Sequence, residues 1–487
     1  MHSNMQIRFC YIFNLKGSDE NMKKFYKLAF TIIVLVLAAC GEEVTDSEII
    51  TVNGNTKYQT MTGWEFADYV GQDSLEYDYR KYKDLLLKTM VQQTGINRLH
   101  LGVRSGVENT NDYYKQFREK KIPYLKWKSN RYATVNDNND SHSINWDGFN
   151  FTELDEKVTQ VILPLRALLQ KKGEKLYVKL SYVAFVRQIK GGKYHHADSE
   201  EYAEFMEAVF LHLRKKFNFT PDALEIMLEP DLAPQWSGRL VGQSIVAVVK
   251  RLARHGFHPD IIAPSCTSVK NAVSFFDEMI KVEGVLDSLT EISYHRYQGS
   301  IDDIRQIAER ARRYNLKTSM LEWWHKGLSP DDLLVDLKTG HNSAWQQAVM
   351  GSFKNNQRVG AWVDTSNPDK PLVVLSNLTK YIRQYSLYIK MGAVRIAAES
   401  KGAHINPVAF INPDGSFVVV MKVKNQVKKI SLKGLPAGTY GVMYIVSPQE
   451  SNRFLPDIVL KNNQTLVTSL PEAGIITVYG KRSGSAK

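Results

Sequence analysis

The order of apolar and polar residues divides the chain into two regimes. From about residue 59 to 388, short apolar runs alternate with helix-length amphipathic stretches; after about Tyr388 the pattern changes to period two. In the first regime, runs at Gly63 to Phe66, Gly95 to Val103, Lys175 to Tyr182, Leu224 to Glu229, Ile261 to Pro264, Glu291 to His295, Thr318 to Glu322 and Gly360 to Asp364 predict strands. The spacing between them predicts helices over 79–93, 153–172, 199–216, 239–255, 270–282, 301–314 and 343–357. Residues 104–147 have few apolar periods and read as a long loop, a length usually given to binding walls. Apolar runs covered on both faces belong to a parallel sheet. Eight β/α units without a Gly-rich phosphate loop favour an α/β fold closed as a (β/α)8 TIM barrel over an open doubly wound sheet.

The second regime predicts strands at 417–423, 429–432, 440–446, 464–468 and 474–479, separated by turns such as Asn412-Pro413-Asp414-Gly415. Short strands at this spacing read as a C-terminal β-sandwich. Thr51 to Tyr58 reads as a small hairpin turning at Gly54. The expected division is N-terminal strands at 49–58 joining the sandwich, a barrel over 59–388 and a sandwich over 389–482.

The start of the chain follows different rules. Lys23, Lys24 and Lys27 precede an apolar run from Leu28 to Leu37, followed by Ala38-Ala39-Cys40, which is the layout of a secretory signal over residues 1–40. The run is too short to span a bilayer. Leu37-Ala38-Ala39-Cys40 resembles the lipobox of bacterial lipoproteins, which implies a lipid anchor on Cys40 as the sole membrane contact, with 41–48 as an acidic tether. Outer-membrane attachment at the cell surface is the expected location, with the periplasmic face as the alternative.

The formal net charge of +12 suits acidic partners such as charged glycans, or reflects scattered lysines on solvated helix faces. No Cys/His finger and no basic array interleaved with aromatics suggests nucleic-acid binding. Of three cysteines, Cys40 would be acylated and Cys266 reads as a buried apolar residue, so no structural disulfide is expected. No His-Glu-x-x-His spacing is present, so neither metal nor cofactor is expected. His195-His196 reads as a solvated loop pair. The chain is expected to act as a monomer.

Two of the apolar runs end in a single carboxylate, at Glu229 and Glu322. In a β/α barrel the C-terminal ends of the strands carry the chemistry. Counting β/α units places these glutamates on the fourth and seventh strands. Hydrolysis of a glycosidic bond requires one carboxylic acid and one carboxylate in different environments. Trp236, Trp323 and Trp324 near the pair offer flat apolar faces for a pyranose, and His100 falls at the second strand's end. All eight tryptophans lie between Trp64 and Trp362, which leaves the sandwich a structural role.

Met227-Leu228-Glu229-Pro230-Asp231 resembles the acid/base segment on the fourth strand of clan A glycoside hydrolases, and Leu321-Glu322-Trp323 their nucleophile segment on the seventh. Tyr294-His295-Arg296-Tyr297 resembles the clan's sixth-strand His-x-Tyr, whose Tyr bonds the nucleophile; Arg98 matches its second-strand Arg and Trp362 its eighth-strand Trp. The stretch Gln384 to Ile396 is similar to the barrel-to-sandwich junction of glycoside hydrolase family 30. The resemblance implies a retaining double displacement on a polysaccharide or oligosaccharide, with Glu322 as nucleophile and Glu229 as acid/base. Leu228 stands where most of the clan carries an Asn that holds the sugar 2-hydroxyl, and Gly63-Trp64-Glu65 departs from the family's Gly-Phe-Gly-Gly. A non-catalytic surface glycan-binding protein on the same barrel is the alternative that Leu228 favours.

Overall fold

The computed structural model describes residues 47–75, 79–138, 140–190, 192–323, 329–352, 359–450 and 452–481. The expected signal peptide, Cys40, most of the tether and Trp324 lie outside the described residues. No described helix is long and apolar enough to cross a membrane.

After a first strand, β1 (Glu48–Thr60), eight parallel strands close into a barrel in chain order: β2 (Gly63–Ala67), β3 (Arg98–Arg104), β4 (Tyr177–Val183), β5 (Ala223–Glu225), β6 (Asp260–Ser268), β7 (Leu289–Gln298), β8 (Lys317–Met320) and β9 (Asn342–Val349). β9 returns to β2 through Gly63↔Ala344 and Glu65↔Gln346. Period two sorts each strand's side chains between inside and outside. On β3, Leu99, Leu101 and Val103 join the apolar layer under the helices. Arg98, on the alternate face, reaches across the interior to Glu291 on β7.

The helices follow the amphipathic stretches and are stopped by local chemistry. Ser199–Phe217 is capped by the Asp198 side chain and ends in left-handed Asn218. Ile301–Tyr314 opens on a Ser300/Asp303 capping box and ends in left-handed Asn315. The stretch expected as one helix from 153 carries a π-helical turn at Val158–Ile162 between two α-helical parts. The expected 104–147 loop holds two short helices, Tyr113–Arg118 and Tyr124–Asn130, joined by the stacked rings of Phe117 and Trp127, 4.9 Å apart.

The eighth unit corrects the sequence expectation. Residues expected to begin a helix at 343 form β9, the eighth barrel strand, and Ala361–Asp364 is not a barrel strand. It is β11 of a small sheet with β10 (Gly351–Ser352) and β12 (Leu372–Leu375). That sheet follows directly from β9, at the level where Met350 and Gly351 donate to the carbonyls of Ala67 and Tyr69 beyond β2. β9 lacks an apolar run because its buried polar side chains have built-in partners: Gln346 donates to Glu65 at 2.6 Å and Gln347 to Thr379 at 2.6 Å.

The C-terminal part comprises β13 (Val394–Ser400), β14 (Ile405–Ile411), β15 (Phe417–Val423), β16 (Val427–Lys433), β17 (Gly438–Ile445), β18 (Arg453–Leu460), β19 (Leu466–Leu470) and β20 (Gly474–Lys481). With β1 they form a continuous sheet in the order β18-β17-β20-β15-β14-β13-β1-β16-β19. The sheet folds over on itself into a sandwich, because Leu432 and Leu466 from one end share a core with Tyr440 and Leu460 from the other. The hairpin expected at Thr51 to Tyr58 is absent: β1 continues past Gly54 as one strand that bulges between Asn53 and Lys57, antiparallel to β13 and, at Glu48 to Thr51, parallel to β16. Val408, Phe410, Val418 and Val420 face the other way and join the barrel's apolar core, and the rings of Tyr388 and Tyr479 stack 3.8 Å apart across the junction.

Candidate active site

Beside a small apolar cluster of Ala223, Ile262, Leu321 and Ala344, the barrel carries a column of charged side chains where such barrels usually stack aliphatic ones. At the N-terminal end of the strands Arg98 donates to Glu65 at 2.6 Å and to Glu291 at 2.9 Å, all three buried, with its guanidinium over the Tyr177 ring. Lys179 links upward from Glu65 at 3.1 Å to Glu225 at 2.9 Å. Glu225 also accepts from Ser181 and Ser265, and Ser265 contacts Ser293 at 2.6 Å. Burial acts to raise the Glu225 carboxyl, but Lys179, His100 and the hydroxyl donors outweigh it and hold it below the usual carboxylate range. His100 lies in this layer, its Nδ1 3.7 Å from Glu225, and burial together with Lys179 lowers its pKa to about 3. The column is continuous from Glu291 and Arg98 to Ser265.

Above it sits a trio. β7 presents Glu291, Ser293, His295 and Tyr297 on one face by strand alternation, and the last two reach the C-terminal end of the barrel. His295 is fully buried, with Nδ1 3.0 Å from Glu229 Oε1. The Tyr297 hydroxyl donates to Glu322 Oε1 at 2.7 Å. One oxygen of Glu229, one of Glu322 and one ring nitrogen of His295 all lie within 4.8 Å of one another.

Neither glutamate stands on the regular part of its strand. β5 ends at Glu225, yet the next residues stay wedged in the barrel wall: Ile226 N–H donates to Ile262, Leu228 N–H to Tyr182 and Glu229 N–H to Ser265. Glu229 turns out of this run with a φ of 54°, which aims a non-glycine residue by holding it in a sparsely populated region. The Pro230–Leu232 turn beyond it is pinned by Asp231, which accepts from Thr267 N–H at 2.9 Å and Asn271 at 2.8 Å. Glu322 follows β8 by two residues, with Leu321 N–H donating to Tyr294 and Arg296 N–H to the Glu322 carbonyl.

The electrostatics of the trio are coupled by distance. Burial, joined by the Glu229 charge, raises the Glu322 carboxyl to about 7 against the pull of His295 and the Tyr297 hydrogen bond. Burial alone would depress His295, but the hydrogen bond to Glu229 and the charges of Glu322 and Glu229 raise it above its ordinary value. Glu322 therefore titrates near neutrality, and His295 keeps its proton to higher pH than a free imidazole does. A Cβ at Gly102 on β3 would touch His100 Nε2 and Lys157 Nζ, each 3.4 Å away, so the two side chains close over the glycine.

Of the residues singled out in the sequence, the structure brings Glu229, Glu322, His295 and Tyr297 together. It separates others from them. Arg98 lies at the opposite end of the barrel, fully buried and paired, because it is the first residue of β3. His100 is in the layer beneath the trio, buried among charges, since it sits mid-strand on β3 and not at its end. Trp236 is 4% exposed, donates to Tyr194 at 2.8 Å and packs edge-on to Tyr202, so its faces belong to the core. One face of the half-buried Trp323 carries the Arg296 guanidinium at 5.0 Å. Trp362 is half-buried on β11, and the tryptophan on the eighth barrel strand is Trp345, whose indole donates to Asp336.

Sequence reasoning missed a second buried cluster beside the mouth. His196 contacts Glu108 at 2.5 Å and the Tyr182 hydroxyl at 2.7 Å, while Tyr182 and Trp236 both donate to Tyr194. It fastens the loops after β3, β4 and β5 to one another, so His196 is a buried tie and not a solvated residue. The only signal for it was the aromatic content of those loops.

Residues 392–478 match the profile of the glycosyl hydrolase family 30 beta sandwich domain. No curated protein matches the sequence. Among solved structures, the catalytic domain of a family 30 xylanase C from Talaromyces cellulolyticus is similar over 89% of this chain and 100% of its own, with TM-score 0.63 and 17% identity. A family 30 endoxylanase from Clostridium papyrosolvens matches 89% of this chain and all of its own length, with TM-score 0.61 and 15% identity. An endo-β1,6-glucanase matches 89% of this chain and 93% of its own, with TM-score 0.60 and 15% identity. The chain thus combines a sandwich matched to that of glycosyl hydrolase family 30 with the whole two-part fold of solved family 30 enzymes.

Proposed function

We propose that the protein is a retaining glycoside hydrolase acting on a polysaccharide or its oligosaccharides. The observation that carries the reading is the approach of the Glu229 and Glu322 carboxylates within 4.8 Å at the C-terminal mouth of the barrel. Carboxyl groups about 5–5.5 Å apart suit a double displacement, whereas inversion needs about 6.5–9.5 Å to admit a water. Glu322 is the nucleophile: the Tyr297 hydroxyl occupies Oε1 and stabilises the ionised form, leaving Oε2 to attack the anomeric carbon. Glu229 gives its proton to the leaving oxygen and then takes one from the water that frees the glycosyl-enzyme. His295 orients Glu229 and, as an imidazolium, offsets the paired negative charge. The xylanase and glucanase neighbours support a polysaccharide substrate. The sequence supports export and a lipid anchor at Cys40.

A product screen across plant, algal and microbial glycans, read by mass and by anomeric NMR, tests the reading. Retention of configuration is the expected result, and inversion overturns the double displacement. Glu229→Gln and Glu322→Gln should each lower turnover by several orders of magnitude with the fold intact. The second reading, a glycan-binding protein without turnover, draws on Leu228, which packs against Tyr132 and Val183 and offers no hydrogen bond beside Glu229. Calorimetric glycan binding with no product after prolonged incubation would select it.

A further inference from the structure

The trio has a second chemical property that follows from its atoms and not from any role in hydrolysis. Two carboxylates and one imidazole converge, with one donor atom of each within 4.8 Å of the others. His295 is fully buried, and its Nε2 has no hydrogen-bond partner in the structure. The other ring nitrogen, Nδ1, lies 3.0 Å from Glu229 Oε1 and is the donor that faces the carboxylates, while no bond through Nε2 fixes the ring against a small turn. Donors on one tetrahedral Zn2+ stand about 3.3 Å apart, given bonds of about 2.0–2.2 Å, so a small rotation of the two carboxylates closes the set. Mixed imidazole and carboxylate ligation suits Zn2+ and its neighbours in the first transition row, not Mg2+, which prefers an all-oxygen shell. Three protein ligands leave a tetrahedral ion its fourth position for water.

We propose that Glu229, His295 and Glu322 form a binding site for one zinc-class divalent ion, which occupies the position of the sugar and reversibly blocks the site. The inference rests on the same three side chains as the hydrolase reading but does not require that reading to be right. The ion displaces whatever protons the trio holds and replaces the His295–Glu229 hydrogen bond with bonds to metal. The spacing of 229, 295 and 322 in the chain conceals the set, because its members come from three different β/α units.

Zn2+ titrated into the mature chain by isothermal calorimetry, with Mg2+ as the comparison ion, tests the proposal without any substrate. One ion per chain is expected, with affinity at least tenfold weaker in both His295→Gln and Glu322→Gln and unchanged in His142→Gln, which alters an exposed loop histidine. Circular dichroism checks the fold of each variant; should His295→Gln fail to fold, the near-isosteric Glu229→Gln takes its place. Absence of saturable binding, equal binding of Mg2+, or wild-type affinity in the folded site variants overturns the proposal. A chain that binds Zn2+ as described but hydrolyses no glycan upholds the site and removes the hydrolase reading. A chain that hydrolyses glycan with no Zn2+ binding does the reverse. Where hydrolysis is found, Zn2+ should raise KM with little change in kcat, and EDTA should restore the original value.

Discussion

The backbone N–H of Glu229 donates to the carbonyl of Ser265 at 3.1 Å, and the two residues share left-handed backbones, with φ of 54° and 53°. The Ser265 hydroxyl at the same time donates to buried Glu225. One residue therefore joins the ion column of the barrel to the peptide that aims the proposed acid/base. Ser265→Ala should destabilise the chain by about 1–3 kcal/mol, because a buried carboxylate loses a donor, and should lower kcat at least tenfold through misplacement of Glu229. Urea denaturation and steady-state kinetics check the two effects, and a variant with wild-type kcat would remove the positioning role.

Tyr297→Phe deletes the only hydroxyl seen on Glu322 Oε1 among the described contacts. That hydrogen bond lowers the Glu322 pKa, so its loss should move the limb of the pH profile that requires ionised Glu322 to higher pH. Turnover should fall by about 10–100-fold, the scale of removing one well-placed donor. The pH dependence of kcat/KM is the measurement, and an unmoved limb would sever Tyr297 from the nucleophile.

Glu322 should also limit stability in a pH-dependent way. Its folded pKa of about 7 lies above the ordinary 4.5, so the native state binds more protons than the unfolded state between those values. Native stability is full below the lower pKa and declines as pH rises through 7. Glu322→Gln should match wild type near pH 4 and exceed it above pH 7 by of order 1–2 kcal/mol, after a discount for the partial exposure of the side chain. Thermal unfolding of both proteins across that pH range decides it; a gap that shrinks with rising pH would contradict the raised value.

Arg98 makes a contrasting forecast. Arg98→Met leaves Glu65 and Glu291 buried without their shared cation, which should cost about 3–5 kcal/mol. Since Arg98 lies at the far end of the barrel from the trio, KM in the surviving folded fraction should stay within twofold of wild type. Chemical denaturation with kinetics at low temperature separates the two effects, and a large rise in KM would restore Arg98 to the substrate.

The parts of the fold visible in the sequence are those that bury apolar side chains at a regular period. The strands leading to Glu229 and Glu322, and the helices between them, announce themselves this way. β9 does not, because Gln346 and Gln347 are buried in hydrogen bonds that only partners 281 and 32 residues away supply. The same limit explains the site. His295 and Tyr297 were legible from their alternate spacing on one strand and from the family motif. Glu225, His100 and Arg98 were not legible as an ion column, since charges on β3, β4, β5 and β7 become neighbours only when the barrel closes. Trp236 looked like a sugar platform because a Trp in a loop has no period to show that its ring points inward.

β1 lies between β13 and β16 in the sheet, although its partners begin at Val394 and Val427. During synthesis the first strand of the folded molecule must therefore wait, unpaired, until the barrel and the first half of the sandwich have emerged. The C-terminal sandwich is consequently not an excisable domain: a fragment beginning near residue 389 would carry two open strand edges where β1 belongs, and should aggregate unless a peptide spanning 48–60 is supplied.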